Sequence, residues 1–299
     1  MKLSKNVLAM VLLSFALLES APVLAKLNDD LIEQAMLSGG EPLQQAFEAA
    51  DRGEWHKAAK LLPPLAEQDN VGAQFLLAAM FNEGMGVKQD FQQAAKWYAK
   101  AAEQGLAEAQ FSLANVYHEG KGVTHNDQLA VEWYQKAAEQ GLAKAQYLLA
   151  LCYELGEGVA QDYALAAKWF EKAAKQGEAD AQYNLALMYA QGQGVKQDDR
   201  QAVKWFQAAA EQGEADAQYN LAMMYHQGNG VAQDYQQALK WLKKSAEQGK
   251  ELALVALGGY YLEGLGVPKD QQKAKTYFAQ ACEAGADMGC RMGMELEEK

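Results

Sequence analysis

Serine, cysteine and histidine are the residues of this chain whose types could support nucleophilic catalysis or metal binding. Three serines follow residue 25: Ser38, Ser112 and Ser245. A serine nucleophile needs a paired base, as in the S-x-x-K motif, where lysine occupies the fourth position. None of these serines has lysine at that position, and the chain contains no G-x-S-x-G motif. The sequence therefore predicts no catalytic serine and no enzymatic activity.

The histidines and the isolated cysteine do not form a pattern typical of a metal site. Zinc sites combine histidine, cysteine or carboxylate ligands at short spacings, and the sequence shows no such set. His118 and His226 stand at equivalent positions of the repeat described below, three repeats apart, which is too far for one shared ion. Cys152 occupies a column of apolar residues and is expected to be buried. We predict neither a metal nor a cofactor.

A repeat of 36 residues determines how the side chains are positioned. Written in rows of 36, the sequence aligns without a gap from residue 73 to residue 288. Alanine, leucine and an aromatic residue recur at the first, fifth and ninth positions. They are Ala73, Ala109, Ala145, Ala181, Ala217 and Ala253; Leu77, Leu113, Leu149, Leu185, Leu221 and Leu257; and Phe81, Tyr117, Tyr153, Tyr189, Tyr225 and Tyr261. This spacing places the three side chains on one face of a helix.

Two glycines, a valine and a helix-capping residue follow in every row. The pairs are Gly84/Gly86, Gly120/Gly122, Gly156/Gly158, Gly192/Gly194, Gly228/Gly230 and Gly264/Gly266. Glycine allows the left-handed backbone of a tight turn. Aspartate, or Asn126 in the second row, then supplies an N-cap for a second helix. That helix carries alanines and a recurring tryptophan, with Tyr277 in the last row, and we expect this aromatic ladder to lie in the core.

These elements predict an all-α fold, a right-handed α/α superhelical solenoid of 36-residue helix-turn-helix repeats. One helical hairpin cannot bury its apolar stripe alone, whereas stacked hairpins share a continuous core. The predicted repeats are residues 73–108, 109–144, 145–180, 181–216, 217–252 and 253–288. Residues 26–72 are predicted to form an N-terminal segment with a degenerate capping hairpin, and residues 289–299 a C-terminal capping helix and tail.

The repeat resembles the Sel-1-like repeat family, a relative of tetratricopeptide repeats. The family pattern, A-x-x-x-L-G/A-x-x-Y-x-x-G-x-G-V-x-x-D-x-x-x-A-x-x-W-y-x-x-A-A-x-x-G, covers residues 73–288 in six copies. The resemblance implies a right-handed superhelix. It also implies a role as an adaptor or scaffold in protein complexes, often in bacterial envelopes or at host contacts.

The resemblance also bears on two cysteines and on an enzymatic alternative. Cys282 and Cys290 stand at positions similar to those of the cysteine-rich secreted branch of the family, in which such pairs form disulfides between consecutive helices. Free core cysteines are the other interpretation. Because that branch has been linked to β-lactam binding and hydrolysis, a β-lactam-binding or β-lactamase-like enzyme is the alternative function.

The first 25 residues are typical of a secretory signal peptide. Lys2 and Lys5 precede a short apolar run from Val7 to Leu18, and small residues allow cleavage after Ala25. That run is short for a membrane span, which needs about 20 apolar residues. An uncleaved membrane anchor is the other interpretation. We expect a periplasmic or secreted protein with no membrane span after cleavage.

The charge of the chain restricts its partners. Removing residues 1–25 leaves 25 basic against 38 acidic residues, a net charge of −13 compared with −12 for the full chain. A chain this acidic is repelled by phosphate backbones, so nucleic acid is not an expected partner. We expect a monomer that binds a protein or peptide.

The first helices of a solenoid line its concave side, so their variable columns are candidates for contact with a partner. Asparagines stacked on adjacent helices could hold the backbone amides of an extended peptide, beside apolar side chains that we expect to be exposed. The candidate partner-binding residues are Ser112, Asn115, Leu148, Leu151, Asn184, Leu187, Gln191, Asn220, Met223 and Gln227. The alternative is that these residues pack against the neighbouring repeat, because the sequence does not fix the rotation of each helix.

Overall fold

The computed structural model describes residues 29–297, and these residues form fifteen helices and no strand. The predicted signal peptide lies outside the described residues. The helices are α1 (Asp29–Asp51), α2 (Trp55–Glu67), α3 (Val71–Glu83), α4 (Phe91–Glu103), α5 (Ala107–Glu119), α6 (Asp127–Glu139), α7 (Ala143–Leu155), α8 (Tyr163–Lys175), α9 (Ala179–Gln191), α10 (Asp199–Glu211), α11 (Ala215–Gln227), α12 (Tyr235–Glu247), α13 (Glu251–Glu263), α14 (Gln271–Glu283) and α15 (Asp287–Glu297). The predicted all-α repeat fold is confirmed.

The helices belong to two compact units, one ending at Asp162 and the other beginning at Tyr163. In the first unit, α3 packs against α4 and α5 against α6, while α4 and α6 also contact the first helix of the following repeat. In the second unit, α9–α10, α11–α12 and α13–α14 form the same hairpins, and α15 packs on α14. Within each unit, the second helices α4, α6, α10 and α12 therefore lie between two first helices of successive hairpins.

The predicted caps and turns are confirmed wherever the structure describes them. The Asp90 carboxylate accepts hydrogen bonds from the backbone N–H groups of Gln92 and Gln93, and Asn126 accepts one from Leu129. The first glycine of the turn ends the first helix in the left-handed conformation, as at Gly84 with φ 72°. These residues close each hairpin with local hydrogen bonds rather than with a long loop.

The second glycine of the turn has a packing role that the sequence pattern did not show. A Cβ atom on Gly230 would lie 2.3 Å from the backbone carbonyl carbon of Asp199, at the start of the second helix of the preceding repeat. Real Cβ atoms do not approach a backbone this closely. Glycine at this position therefore allows neighbouring repeats to come into contact.

Pairs of glutamines join successive repeats. Buried Gln182, on α9, donates to the carbonyl oxygen of Ala174 at 3.1 Å. Gln212, just after α10, donates to Gln182 Oε1 at 2.8 Å and to the carbonyl oxygen of Gly177 at 2.9 Å. The same hydrogen bond joins further glutamine pairs among the described residues. These pairs are Gln74–Gln104, Gln110–Gln140 and Gln218–Gln248. We call this set of hydrogen-bonded pairs the glutamine ladder.

The tryptophans of the second helices only partly fulfil their predicted place in the core. Trp97, Trp205 and Trp241 are buried, but Trp133 and Trp169 are half-buried. An ammonium group covers each ring from outside; Lys136 and Lys172 lie 3.7 Å from the ring centroids of Trp133 and Trp169. Each indole thus packs inward and presents a ring face to a lysine ammonium group, with which it forms a cation–π interaction.

Candidate protein-binding surface

The first helices of the second unit present matching side chains at equivalent positions. On α9 they are Tyr183, Asn184 and Leu187, and on α11 they are Tyr219, Asn220 and Met223; all six are half-buried. We call these six residues the first-helix face. Its two helices lie side by side, since Asn220 Nδ2 is 3.5 Å from the hydroxyl of Tyr183. Gln191 and Gln227 are exposed at the C-terminal ends of the same helices.

The two asparagines of this face are held by their own helices. Asn184 Nδ2 donates to the carbonyl oxygen of Asp180 at 3.0 Å, and Asn220 Nδ2 donates to that of Asp216 at 3.0 Å. A side chain fixed in this way loses less conformational entropy when it binds a partner. The two amides are therefore preorganised in the same orientation, one repeat apart.

Carboxyl groups surround the N-terminal end of the first-helix face. Asp180 and Asp216 lie in the first turns of α9 and α11, and Glu214 is the residue before α11. Burial raises the pKa of Asp180, and burial together with the carboxylates of Asp180 and Asp216 raises the pKa of Glu214. One cation is paired with this cluster, because Lys250 Nζ lies 2.5 Å from Asp216 Oδ1. The end of the face is consequently acidic.

The equivalent residues of α7 do not form an exposed patch. Leu148 and Leu151 are only 1% and 5% exposed, so the prediction that these two candidates are exposed is wrong. Helix α7 carries apolar side chains at every position from Ala145 to Cys152 except Gln146, and a helix that is apolar on nearly all sides is normally buried. The pattern that suggested a docking patch is that of a core helix.

Ser112 and Asn115, the candidates on α5, already interact with tyrosines of the same unit. Burial raises the pKa of the Tyr98 hydroxyl, and the Ser112 side chain acts on it in the opposite direction. The hydroxyl of Tyr134 donates to Asn115 Oδ1 at 2.5 Å. Both candidates are half-buried, and their polar atoms position the aromatic residues of the second helices.

A cluster of two histidines and an aspartate lies at the hairpin turn of the second repeat. His118 Nδ1 is 2.8 Å from Asp127 Oδ1, and His125 Nε2 is 3.1 Å from Asp127 Oδ2. The cluster lines an open cleft of about 500 Å³ together with Glu157 and the turn at Gly158. Within the described part of the chain, no group of His, Cys, Asp and Glu side chains has the geometry of a metal site.

The remaining candidate nucleophiles serve structural roles. Ser245 is buried and donates to the carbonyl oxygen of Ala215 at 2.8 Å, while Ser38 accepts a hydrogen bond from Asn70 at 2.9 Å. Cys152 is 1% exposed, as predicted, and burial raises the pKa of its thiol to about 12. A thiol with this pKa is protonated at neutral pH and is a poor nucleophile.

The C-terminal cysteines lie within bonding distance. Cys282 Sγ and Cys290 Sγ are close enough to form a disulfide bond, and the pair connects the end of α14 with α15. Disulfides persist mainly in oxidising compartments, so the pair is compatible with a protein outside the cytoplasm. Between residues 29 and 297, no helix combines the length and the apolar character needed to cross a bilayer.

Comparison with protein families decides how the hairpins are classified. The family model for the Sel1 repeat matches six consecutive segments, residues 71–106, 107–142, 143–178, 179–214, 215–250 and 252–285. The chain belongs to the Sel1 repeat family. The matched segments begin with the first helix of each hairpin and end in the turn after the second, so each Sel1 repeat is one helix pair.

Two solved structures are similar to this Sel1 repeat protein. One is a protective antigen present in uropathogenic Escherichia coli strains, with 34% identity and a TM-score of 0.84 over 91% of this chain. The match covers 59% of the antigen, so the chain spans less than two thirds of its length. The other, a Sel1 repeat protein from Oxalobacter formigenes, has 36% identity and a TM-score of 0.69; the match covers 81% of this chain and 97% of that one. A search of curated proteins gave no match.

Sequence reasoning missed two clusters that the Sel1 repeats bring together. The carboxyl groups of Asp180 and Asp216 share one column of the repeat, and Glu214 stands two residues before the second of them. His118 and Asp127 lie nine residues apart across a turn, where the fifth repeat has His226 and Tyr235. The sequence signal for both clusters is the placement of acidic residues and histidines at fixed columns of the repeat.

Proposed function

We propose that this Sel1 repeat protein is a non-catalytic interaction scaffold of the bacterial envelope that binds an extended segment of a partner protein along its first helices. The observation that supports this proposal is the repetition of half-buried Tyr, Asn and Leu or Met on α9 and α11. Such a row offers apolar contact area and hydrogen-bonding amides at regular intervals, which suits an extended chain.

The envelope location is part of the same proposal. It rests on the signal-like residues 1–25 and on the cysteine pair at the end of α14, because disulfides persist outside the reducing cytoplasm. Export and the processing site can be tested by fractionating cells that express the full chain and determining the N-terminal residue of the product. We expect the mature chain to begin at Lys26.

Affinity capture tests the scaffold function. The chain from residue 26 to residue 299 is immobilised and exposed to solubilised envelope proteins and culture-supernatant proteins, and bound proteins are identified by mass spectrometry. A quadruple variant removes the side chains of the first-helix face (Asn184→Ala, Leu187→Ala, Asn220→Ala and Met223→Ala). A matched control removes four exposed side chains from the second helices of the same unit (Gln207→Ala, Glu211→Ala, Gln236→Ala and Glu247→Ala).

A partner retained by the wild type and by the control, but lost by the quadruple variant with unchanged circular dichroism, would support the proposal. A partner retained equally by all three proteins would place binding elsewhere. Failure of the wild type to retain any protein would contradict the scaffold function.

A further inference from the structure

The polar end of the first-helix face lacks a cation for two of its three carboxyl groups. Asp216 is paired with Lys250, whereas neither Asp180 nor Glu214 forms an ion pair with a described residue. Both side chains are partly buried, and burial raises the pKa of each. The charged form of a half-buried carboxylate is costly without a partner of opposite sign, so a cationic group placed here would lower the free energy of the cluster.

The next first helix, α13, carries apolar residues in the same columns. Leu252 replaces Asp216, and Val255, Ala256 and Gly259 replace the tyrosine, asparagine and methionine of α11. Leu252 is 49% exposed, one of three large apolar side chains with such exposure among the described residues. A Cβ atom on Gly259 would meet nothing within 4 Å, so the surface of α13 is open above this residue. Leu252 and the half-buried Val255 and Ala256 therefore give α13 an apolar surface at the columns where α11 is mainly polar.

We propose that the partner segment bound along the second unit carries a lysine or arginine side chain, held among Asp180, Glu214 and Asp216, and a large apolar side chain, packed on α13. This inference rests on the proposed function and defines the chemistry of the partner. An acidic segment would add like charge to an already repulsive cluster. A second copy of this chain, with a net charge of −12, is disfavoured for the same reason.

The spacing between repeats sets the distance between the basic and the apolar side chain of the partner, which we call its two anchors. Packed helices lie about 8–10 Å apart, so the carboxyl groups on α9 and α11 lie roughly one to two helix spacings from α13. An extended chain advances about 3.3 Å per residue. The basic and the apolar residue of the partner should therefore be roughly three to six residues apart, with the intervening backbone within reach of Asn184 and Asn220.

Selection from a displayed library of random 12-residue peptides tests the inference directly. The library is selected on the immobilised full chain, and the enriched sequences are compared with the starting pool. We expect enrichment of peptides with a lysine or arginine three to six residues from a leucine, isoleucine, methionine or aromatic residue. Enrichment of acidic peptides, of apolar peptides without a basic residue, or of no common pattern would overturn the inference.

Two variants test the two anchors with the best enriched peptide by fluorescence anisotropy. Asp180→Asn with Glu214→Gln removes the unpaired charges while preserving the shape of both side chains, and we expect binding to weaken about tenfold or more. Gly259→Leu fills the open space above α13. Leucine is a good helix former, so we expect α13 to stay helical and the affinity for the peptide to fall by a similar factor. Glu211→Gln with Glu247→Gln, on the second helices, is the matched control and should change the affinity less than about twofold.

The outcomes separate this inference from the proposed function. If the peptide loses affinity for the quadruple variant of the first-helix face but binds both anchor variants like the wild type, the scaffold proposal stands and the basic–apolar partner is wrong. If the peptide binds every variant equally, the inference is also overturned, and affinity capture of natural partners then decides the scaffold function separately.

Discussion

The glutamine ladder shows how single side chains keep successive repeats in register. Gln182 both donates to the backbone and accepts from Gln212, so its removal leaves one N–H of Gln212 without its partner and leaves the Ala174 carbonyl oxygen with only the backbone N–H of Gly177. Unpaired buried polar groups cost about 1–3 kcal/mol each, whereas a satisfied hydrogen bond contributes only about 1 kcal/mol. The ladder therefore stabilises the native register mainly because any displacement of one repeat from the next would leave polar groups without hydrogen-bond partners.

Gln182→Ala is expected to lower the free energy of unfolding by about 1–3 kcal/mol, measured by urea denaturation followed by circular dichroism. The control is Gln207→Ala, because exposed Gln207 donates only to Glu211 of its own helix; we expect a loss below about 0.5 kcal/mol. The double variant Gln182→Ala with Gln212→Ala should lose less than the sum of its two single changes, since they share one bond. Equal losses for Gln182→Ala and Gln207→Ala would contradict this role.

The reactivity of the Cys152 thiol tests whether this side chain is buried in solution. Because burial raises the pKa of this thiol to about 12, the thiol stays protonated at pH 8.5, where an ordinary cysteine is about half ionised. The folded protein should therefore react with a colorimetric disulfide reagent far more slowly than the protein in denaturant, in which Cys152 should react at once. Cys282 and Cys290 do not contribute while they are disulfide-bonded. Rapid reaction of the folded chain would show that α7 opens readily.

At the scale of the helices, the turn glycines determine how closely hairpins stack. Gly230 has φ 69° and faces the backbone of the preceding repeat, whereas Gly213 has φ 105° with nothing near its missing Cβ. Substitution at Gly213 costs only the backbone strain of a left-handed alanine. Substitution at Gly230 adds a collision with the backbone at Asp199, so one helix must move.

Gly230→Ala should therefore destabilise the protein more than Gly213→Ala, by about 2 kcal/mol or more against about 1 kcal/mol. Thermal unfolding followed by circular dichroism measures the difference as a larger decrease in Tm. Similar decreases for the two variants would mean that backbone conformation alone explains the second glycine, and that repeat contact does not depend on it.

The helices, turns and caps could be predicted from the sequence because each depends on residues close together in one row of the repeat. Gly84 ends a helix and Asp90 begins the next through bonds within a few residues. The exposure of Leu148 could not be predicted, because it depends on how α7 is rotated and covered. The cluster of Asp180, Glu214 and Asp216 likewise depends on contact between repeats, which a pattern within one row does not describe.

At the scale of the whole chain, the last repeat is held differently from the others. Leu254 and Ala284 stand where earlier repeats have the two glutamines of the ladder, so both partners are replaced together. The disulfide between Cys282 and Cys290 instead ties α15 to α14 across a sequence separation of 8. Leu296 of α15 packs with Phe278 and Tyr261 and covers the end of this hairpin.

Reduction of the disulfide should loosen α15 without unfolding the preceding repeats. Closing so short a loop stabilises the folded end by about 2–3 kcal/mol on the chain-entropy estimate. Hydrogen exchange with mass spectrometry, with and without reductant, should show faster exchange in residues 287–297 and unchanged exchange in residues 179–227. A Cys282→Ala, Cys290→Ala variant should behave like the reduced protein and should not respond to reductant. Uniform loss of protection, or none, would contradict a local clamp.

The glutamine ladder uses main-chain oxygen atoms as acceptors, and this affects how such chains can evolve. Gln182 and Gln212 bond to carbonyl oxygens of Ala174 and Gly177, which are main-chain atoms and exist whatever side chains the preceding repeat carries. A gene duplication that inserts one more repeat therefore also supplies the glutamines that bond this repeat to the preceding one. After a deletion, the two repeats that become neighbours can form the same hydrogen bonds with each other. The exposed columns are then free to diverge, so a new specificity can arise in one copy while the older copies keep theirs.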